Sequence, residues 1–248
     1  MADRSGRPLA GKAAFVTGGA RRLGEAAALA LAEAGADVTI TFLRSDKEAQ
    51  HTARHVEQAG VRALTVACDV TDPASVRSAV SASLRYFKRL DILVNNAGRY
   101  ETVDFDKLSI QQWDTIFNTN VRGPFLLSQE ALPHLRKQKG KIINLGSLGG
   151  LRAWPTHAHY CSSKAALHML TKAMAKALAP EIAVNCVAPG MIDLGEKAAA
   201  GFMRRMSKQT PMLRNGNAGD VAAAIMFFAT APQFITGQIL AVDGGLGL

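Results

Sequence analysis

Short β-prone runs alternate with longer helical patterns along this chain at an almost constant interval. Strands are expected over residues 12–17, 37–42, 62–67, 91–94, 141–145, 183–187 and 239–242. The first three runs begin 25 residues apart and the fourth 29 later, about one strand–helix–strand unit each time. Several are apolar throughout, as in parallel strands covered on both faces. Between them, Leu23, Ala27, Leu31 and Ala34 mark one helical stripe, and Ala166, Leu170, Ala173 and Ala177 another. Crossovers of this length specify an α/β fold: a doubly wound parallel sheet of about seven strands with helices on both faces. Such a sheet binds ligands at the carboxyl ends of its strands, so residues just after strands carry the functional signal.

The 248 residues suit one large domain, and 48% apolar with 20% charged residues excludes a disordered or fibrous chain. No run approaches the ~18 consecutive apolar residues of a membrane span, so no membrane partner is expected. Residues 1–10 read as a disordered lead-in and not as a secretory signal, since no apolar run follows their charges. Residues 11–248 read as a single domain, with 194–217 as a variable substrate flap. Cys68, Cys161 and Cys186 are too few and too scattered for a disulfide framework or a metal cluster, which points to the cytoplasm. The net charge, 29 − 20 = +9, fits an anionic small molecule as well as a nucleic acid. Because the basic residues are dispersed and aromatics make up 6%, no nucleic-acid partner is expected.

After the first expected strand comes Thr17-Gly18-Gly19-Ala20-Arg21-Arg22-Leu23-Gly24, leading directly into a helix. A glycine turn lets the backbone approach a pyrophosphate, and the helix N-terminus offers free N–H groups. Glycine clusters also serve as plain turns; the position between a first strand and a first helix favours the phosphate reading. A dinucleotide without a 2′-phosphate usually meets an acidic side chain at the end of the second strand. Here that strand ends in Thr41-Phe42-Leu43-Arg44-Ser45. A forked cation and a hydroxyl suit a phosphate monoester, although a loop arginine can simply be solvated. With Arg21 and Arg22 adding positive charge, the cofactor reading is NADP(H).

Tyr160 and Lys164 are i, i+4 at the start of a helix and share one face. A lysine ammonium beside a phenol stabilises the phenolate, lowering its pKa from near ~10 toward the operating range of a general acid/base. Ser147 follows the fifth strand, where its hydroxyl can hold a substrate carbonyl. Asn95-Asn96-Ala97-Gly98 follows the fourth, small enough for a cofactor ring to lie against it.

From about Gly11 to Gly245 the chain resembles the short-chain dehydrogenase/reductase superfamily. The matching pieces, in order, are Thr17–Gly24, Asp69-Val70, Asn95–Gly98, Asn120, Ser147, Tyr160 with Lys164, Pro189-Gly190, and Asp243-Gly244-Gly245. The resemblance implies a single-domain Rossmann-type fold and a catalytic tetrad of Asn120, Ser147, Tyr160 and Lys164. Tyr160 would exchange a proton with the substrate oxygen, Ser147 orient the carbonyl, Lys164 bind the nicotinamide ribose and depress the tyrosine pKa, and Asn120 hold a relay water. Around the cofactor it implies Gly18, Ala20, Arg21, Arg22, Leu23, Gly24, Arg44, Ser45, Asp69, Val70, Asn95, Ala97 and Gly98, with Tyr160 and Lys164. Asp69 would bond the adenine, and Pro189, Gly190 and Ile192 would flank the nicotinamide. It implies a homotetramer or homodimer, for which the apolar C-terminal residues Ile239, Leu240, Leu246 and Leu248 are compatible with an interface or with core.

Two departures bear on the substrate. Arg22 stands where the superfamily's turn has glycine, and with Arg44-Ser45, Leu194 and Tyr100 it is similar to the pteridine reductase branch. That branch carries aspartate at the position of Ser147, however, where serine is the pattern of carbonyl and 3-oxoacyl reductases. The expected substrate is a carbonyl or alcohol, with a dihydropterin as the alternative and a catalytically inactive cofactor sensor as a lesser one. Tyr100, Trp154, Ser147 and Tyr160 are the expected substrate contacts, with His157 and His159 shaping the wall.

Overall fold

The computed structural model describes residues 6–196 and 199–248. Seven strands form one parallel sheet in the order β3-β2-β1-β4-β5-β6-β7. They are β1 (Ala13–Val16), β2 (Asp37–Phe42), β3 (Ala63–Ala67), β4 (Ile92–Asn95), β5 (Lys141–Leu145), β6 (Ala183–Pro189) and β7 (Ile239–Val242). Strand order reverses between β1 and β4, leaving a crevice at their carboxyl ends.

The α-helices of the described residues are α1 (Arg22–Glu33), α2 (Asp46–Gln58), α3 (Pro73–Phe87), α4 (Ile110–Phe117), α5 (Gly123–Gln138), α6 (Ala158–Leu178), α7 (Ala200–Gln209) and α8 (Ala218–Thr230). On one face of the sheet, Ala27, Leu31, Val56 and Phe228 of α1, α2 and α8 pack with Val16, Ile40 and Val94. On the other, Val80, Leu127 and Ala175 of α3, α5 and α6 pack with Phe15 and Leu93. Val16 and Phe15 are neighbours that bury on opposite faces, which is why the strands read as continuously apolar. None of the described helices is long and apolar enough to cross a membrane.

One expectation from sequence needs correction. Residues 1–5 lie outside the described part of the chain, but residues 6–10 are not a loose lead-in. Leu9 is fully buried in the core, its N–H bonds the Ala34 carbonyl, and Arg7 donates to the Ala59 carbonyl at 2.5 Å. The stretch 194–217, expected as a variable substrate flap, contains α7, whose Met206 packs with Leu148 and Leu246; its residues 197 and 198 lie outside the described residues.

Candidate active site

The cleft at the switch point is laced by hydrogen bonds between the turns after β1 and β4. The Thr17 hydroxyl accepts from the Asn96 and Ala97 N–H groups, both at 2.9 Å. The Asn96 amide donates to the carbonyls of Thr17 (2.8 Å) and Gly18 (3.0 Å). Gly18 has φ +61°, and a Cβ on Gly24 would lie 2.2 Å from the Gly18 oxygen, so only glycine lets α1 start this close to the turn. No side chain caps the N-terminus of α1, whose free N–H groups therefore remain available to an anion.

The cleft encloses about 640 Å³. Of the residues expected around the cofactor, Gly18, Ala20, Arg21, Arg22, Leu23, Gly24, Arg44, Ser45, Asp69, Val70, Ala97 and Gly98 line it. Ser45 is the N-cap residue of α2 yet makes no capping bond with its side chain, leaving the hydroxyl and the helix end beside Arg44. Asp69, the one carboxylate among the lining residues, is fixed by the Thr71 N–H and hydroxyl at 2.9 and 2.7 Å. Arg22 holds a left-handed backbone, φ +55°, and ion-pairs with Glu196 across the mouth. These features fit a dinucleotide: glycine-bounded space, an open helix end, and basic side chains along the cleft.

Asn95 does not line the cleft. It ends β4 buried, and its amide donates to Ser128 Oγ (3.3 Å) and Asn144 Oδ1 (2.9 Å); the period-two alternation of the strand turns it into the sheet while Asn96 meets the turn. Asn96, which the sequence named within its turn, lines the cleft, as do Phe42, Leu43, Cys68, Thr71 and Thr119, which it did not single out as cofactor contacts. For Phe42, Leu43 and Cys68 the position at a strand end was the available signal; Thr119, within the helical turn Asn118–Arg122, gave none. Pro189, Gly190 and Ile192 stand at and after the carboxyl end of β6, with Gly190 packed on Asp243.

Tyr160, Lys164, Ser147 and Asn120 converge at the carboxyl ends of β4 and β5. Tyr160 and Lys164 lie on the first turns of α6. Lys164 is buried, its Nζ donates to the Leu145 carbonyl at 2.7 Å, and it stands 5.8 Å from the Tyr160 ring centre. Asn120 sits in a π-helical turn, Asn118–Arg122, a distortion often found at functional sites. Its Oδ1 accepts from the Arg99 N–H (2.7 Å), and its Nδ2 donates to the Arg99 carbonyl (2.9 Å) and Ser163 Oγ (3.0 Å). Gly98 lies between Asn120 and Lys164: a Cβ there would be 3.4 Å from Asn120 Oδ1 and 3.7 Å from Lys164 Nζ.

The expected acidification of Tyr160 is reversed. Burial pushes the phenol up to about 12, against a smaller lowering by the Ser147 hydroxyl. Burial also pulls the Lys164 ammonium down to about 8. The ammonium is bound to the Leu145 carbonyl, and desolvation sets the direction for both groups.

Ser147 caps a short 3-10 turn, Leu148–Gly150, accepting from the Gly149 N–H at 3.0 Å. Beneath this turn lies His168 of α6, buried, its Nε2 3.4 Å from the Ser147 N–H. A Cβ on Gly146 or Gly150 would collide with the imidazole at 2.2 and 2.6 Å. His168 thus supports the backbone that carries Ser147, and nothing in its spacing announced this. Tyr100 meets Tyr160 edge to face at 5.0 Å and stacks on His157 at 5.1 Å. His159 is fully buried and so forms no part of the open wall. Trp154 packs with Leu148, Met206 and Leu246.

A parallel sheet with a glycine-turn cleft at its switch point, and a Ser–Tyr–Lys group beside it, defines a nucleotide-dependent α/β enzyme of the Rossmann type. The family model described as Enoyl-(Acyl carrier protein) reductase matches residues 18–247. A 3-oxoacyl-(acyl-carrier-protein) reductase of Staphylococcus aureus is 35% identical over 240 residues, 95% of this chain and 98% of that protein. Among solved structures, a short-chain dehydrogenase/reductase from Serratia marcescens superposes with TM-score 0.92 at 36% identity, covering 97% of this chain and 100% of that one. A blue fluorescent protein from a metagenomic library, solved in complex with NADPH, superposes with TM-score 0.91 at 34% identity over 97% and 100% of the two chains. The chain belongs to the short-chain dehydrogenase/reductase superfamily of oxidoreductases.

Proposed function

We propose that this protein is an NADP(H)-dependent carbonyl/alcohol oxidoreductase in which Tyr160 exchanges the proton. The observation that carries the reading is the convergence of Tyr160, Ser147 and buried Lys164 beside a cleft rimmed by Arg44 and Ser45. Bound in the cleft, the nicotinamide would supply or accept the hydride at the substrate carbon. Gly18, Gly24 and the open end of α1 would hold the pyrophosphate; Arg44 and Ser45 the 2′-phosphate; Asp69 the adenine; Pro189, Gly190 and Ile192 the nicotinamide; Lys164 its ribose.

Tyr160, with its pKa near 12, keeps its proton at neutral pH and is ready to give it to a carbonyl oxygen. Ser147 orients that oxygen, and Asn120 holds a water on the return path toward Lys164. Reduction draws on the protonated phenol and oxidation on the phenolate, so the two directions depend on pH in opposite senses. Oxidation needs the phenolate and accelerates as pH rises. Measuring both directions between pH 6 and 10 tests this; an oxidation rate flat with pH is the result that overturns it.

The decisive variant is Tyr160→Phe. Turnover of ketones and 3-oxoacyl esters with NADPH should fall by about 10² to 10⁴, while NADPH still binds. Full activity in that variant removes Tyr160 as the proton donor. NADPH and NADH are compared on the same panel. Dihydropterin belongs on it, because Arg22 lines the cleft and Tyr100 flanks Tyr160, but Ser147 in place of aspartate favours the carbonyl.

Self-association is part of the same reading. Phe234 is 99% exposed and Leu248 fully so, and Leu240 is partly exposed on the edge strand β7, supporting a homotetramer or homodimer. Light scattering after gel filtration checks this; a monomer at working concentration refutes it.

A further inference from the structure

Glu25, His51 and His55 form a cluster outside the cleft and outside every role given above. His51 and His55 are one turn apart on α2, so both imidazoles leave the same face. Glu25 meets them from the first turn of α1. One ligand atom from each side chain lies within 4.8 Å of the other two, and the imidazole rings approach edge to face at 4.2 Å. Among the described residues, none of the three takes part in an ion pair.

We propose that Glu25, His51 and His55 bind one divalent transition-metal ion of the zinc class. Two imidazole nitrogens and one carboxylate oxygen suit zinc, with water completing the tetrahedron. Magnesium and calcium, which prefer all-oxygen shells, are disfavoured. Ligands at ~2.0–2.2 Å from the ion must draw closer than they now stand. Partly and fully exposed side chains have the rotamer freedom to do so.

The placement has a consequence. Thr52, next to His51, donates to the Ala20 carbonyl in the glycine turn at 3.0 Å, and α2 follows directly on Arg44 and Ser45. A bound ion would add a second tie between α2 and the helix that starts at that turn, beside the phosphate-binding end of the cleft.

The test is titration of the metal-free full chain with Zn²⁺ at pH 7.5 against a chromophoric chelator. It uses the Cys161→Ser background, so that a thiol beside Tyr160 does not compete. One zinc per chain is expected. His51→Ala and His55→Ala should each weaken it by at least about tenfold, and millimolar Mg²⁺ should not displace it. Retained NADPH binding and circular dichroism establish that each variant is folded. Unchanged zinc affinity in a folded His51→Ala/His55→Ala double variant, or no zinc bound by the parent, overturns the proposal.

Discussion

The two ends of the cleft are built from different materials. At the phosphate end every contact has a backbone partner: the Thr17 hydroxyl and the Asn96 amide each bond backbone groups of the facing turn, and Gly24 lies against the Gly18 carbonyl. At the substrate end, side chains from distant segments meet. Tyr100, His157 and Tyr160 stack in one group, and Trp154, Leu148, Met206 and Leu246 in another. Backbone packing admits few alternatives, so the first end tolerates little change. Side-chain walls can be rebuilt one residue at a time, so the second end is where specificity can drift without loss of the fold.

This contrast predicts a graded series. Gly24→Ala should have the greatest effect, because the added methyl would overlap the Gly18 oxygen at 2.2 Å. Stability should fall by about 3 kcal/mol or more, with NADPH binding lost. Thermal melts and a cofactor titration read both, and wild-type behaviour would erase the distinction between the two ends.

His168 comes next. Burial holds its imidazole down to about 4, so it stays neutral in the fold. The unfolded chain takes up a proton as pH falls below about 6.5, and stability should therefore drop between pH 6.5 and 4, by up to about 3 kcal/mol. Chemical denaturation across that range checks it, and His168→Asn should flatten the slope. Loss of the imidazole acceptor should also lower kcat, by loosening Ser147.

Arg44→Glu should follow, shifting preference from NADPH toward NADH by about 2 kcal/mol, roughly thirtyfold in the ratio of kcat/KM. The mildest change is Tyr100→Ala at the substrate end. Tyr100 is 63% exposed, so melting should be unaffected while KM for ketones rises severalfold and NADPH affinity holds.

The sequence was informative where chemistry and backbone coincide. All seven strands fall where apolar runs of the right length predict them, displaced at most by a residue or two at their ends. Tyr160 and Lys164 stand out because they share a helix face, and Ser147 because it follows a strand, whereas Asn120 enters only through the family resemblance. What escaped depends on burial or on distant partners. The Tyr160 phenol rises because it is partly desolvated in the fold, which an i, i+4 spacing does not express. Asn95 and Asn96 are the same letter twice, and only the strand's alternation separates a residue bonded within the sheet from one that binds the turn. His168 reads as one more residue on a long helix until the Gly146–Gly150 backbone is seen resting on it.

Arg22 gives up conformational ease to stand where it does. Its φ of +55° is disfavoured for a residue with a side chain by roughly 1–2 kcal/mol, and its half-exposed pair with Glu196 returns at most about 1 kcal/mol. Arg22→Gly would thus make the protein hardier, yet with one fewer positive charge at the doorway through which its anionic guest must pass. Robustness and selectivity pull against each other at that single residue.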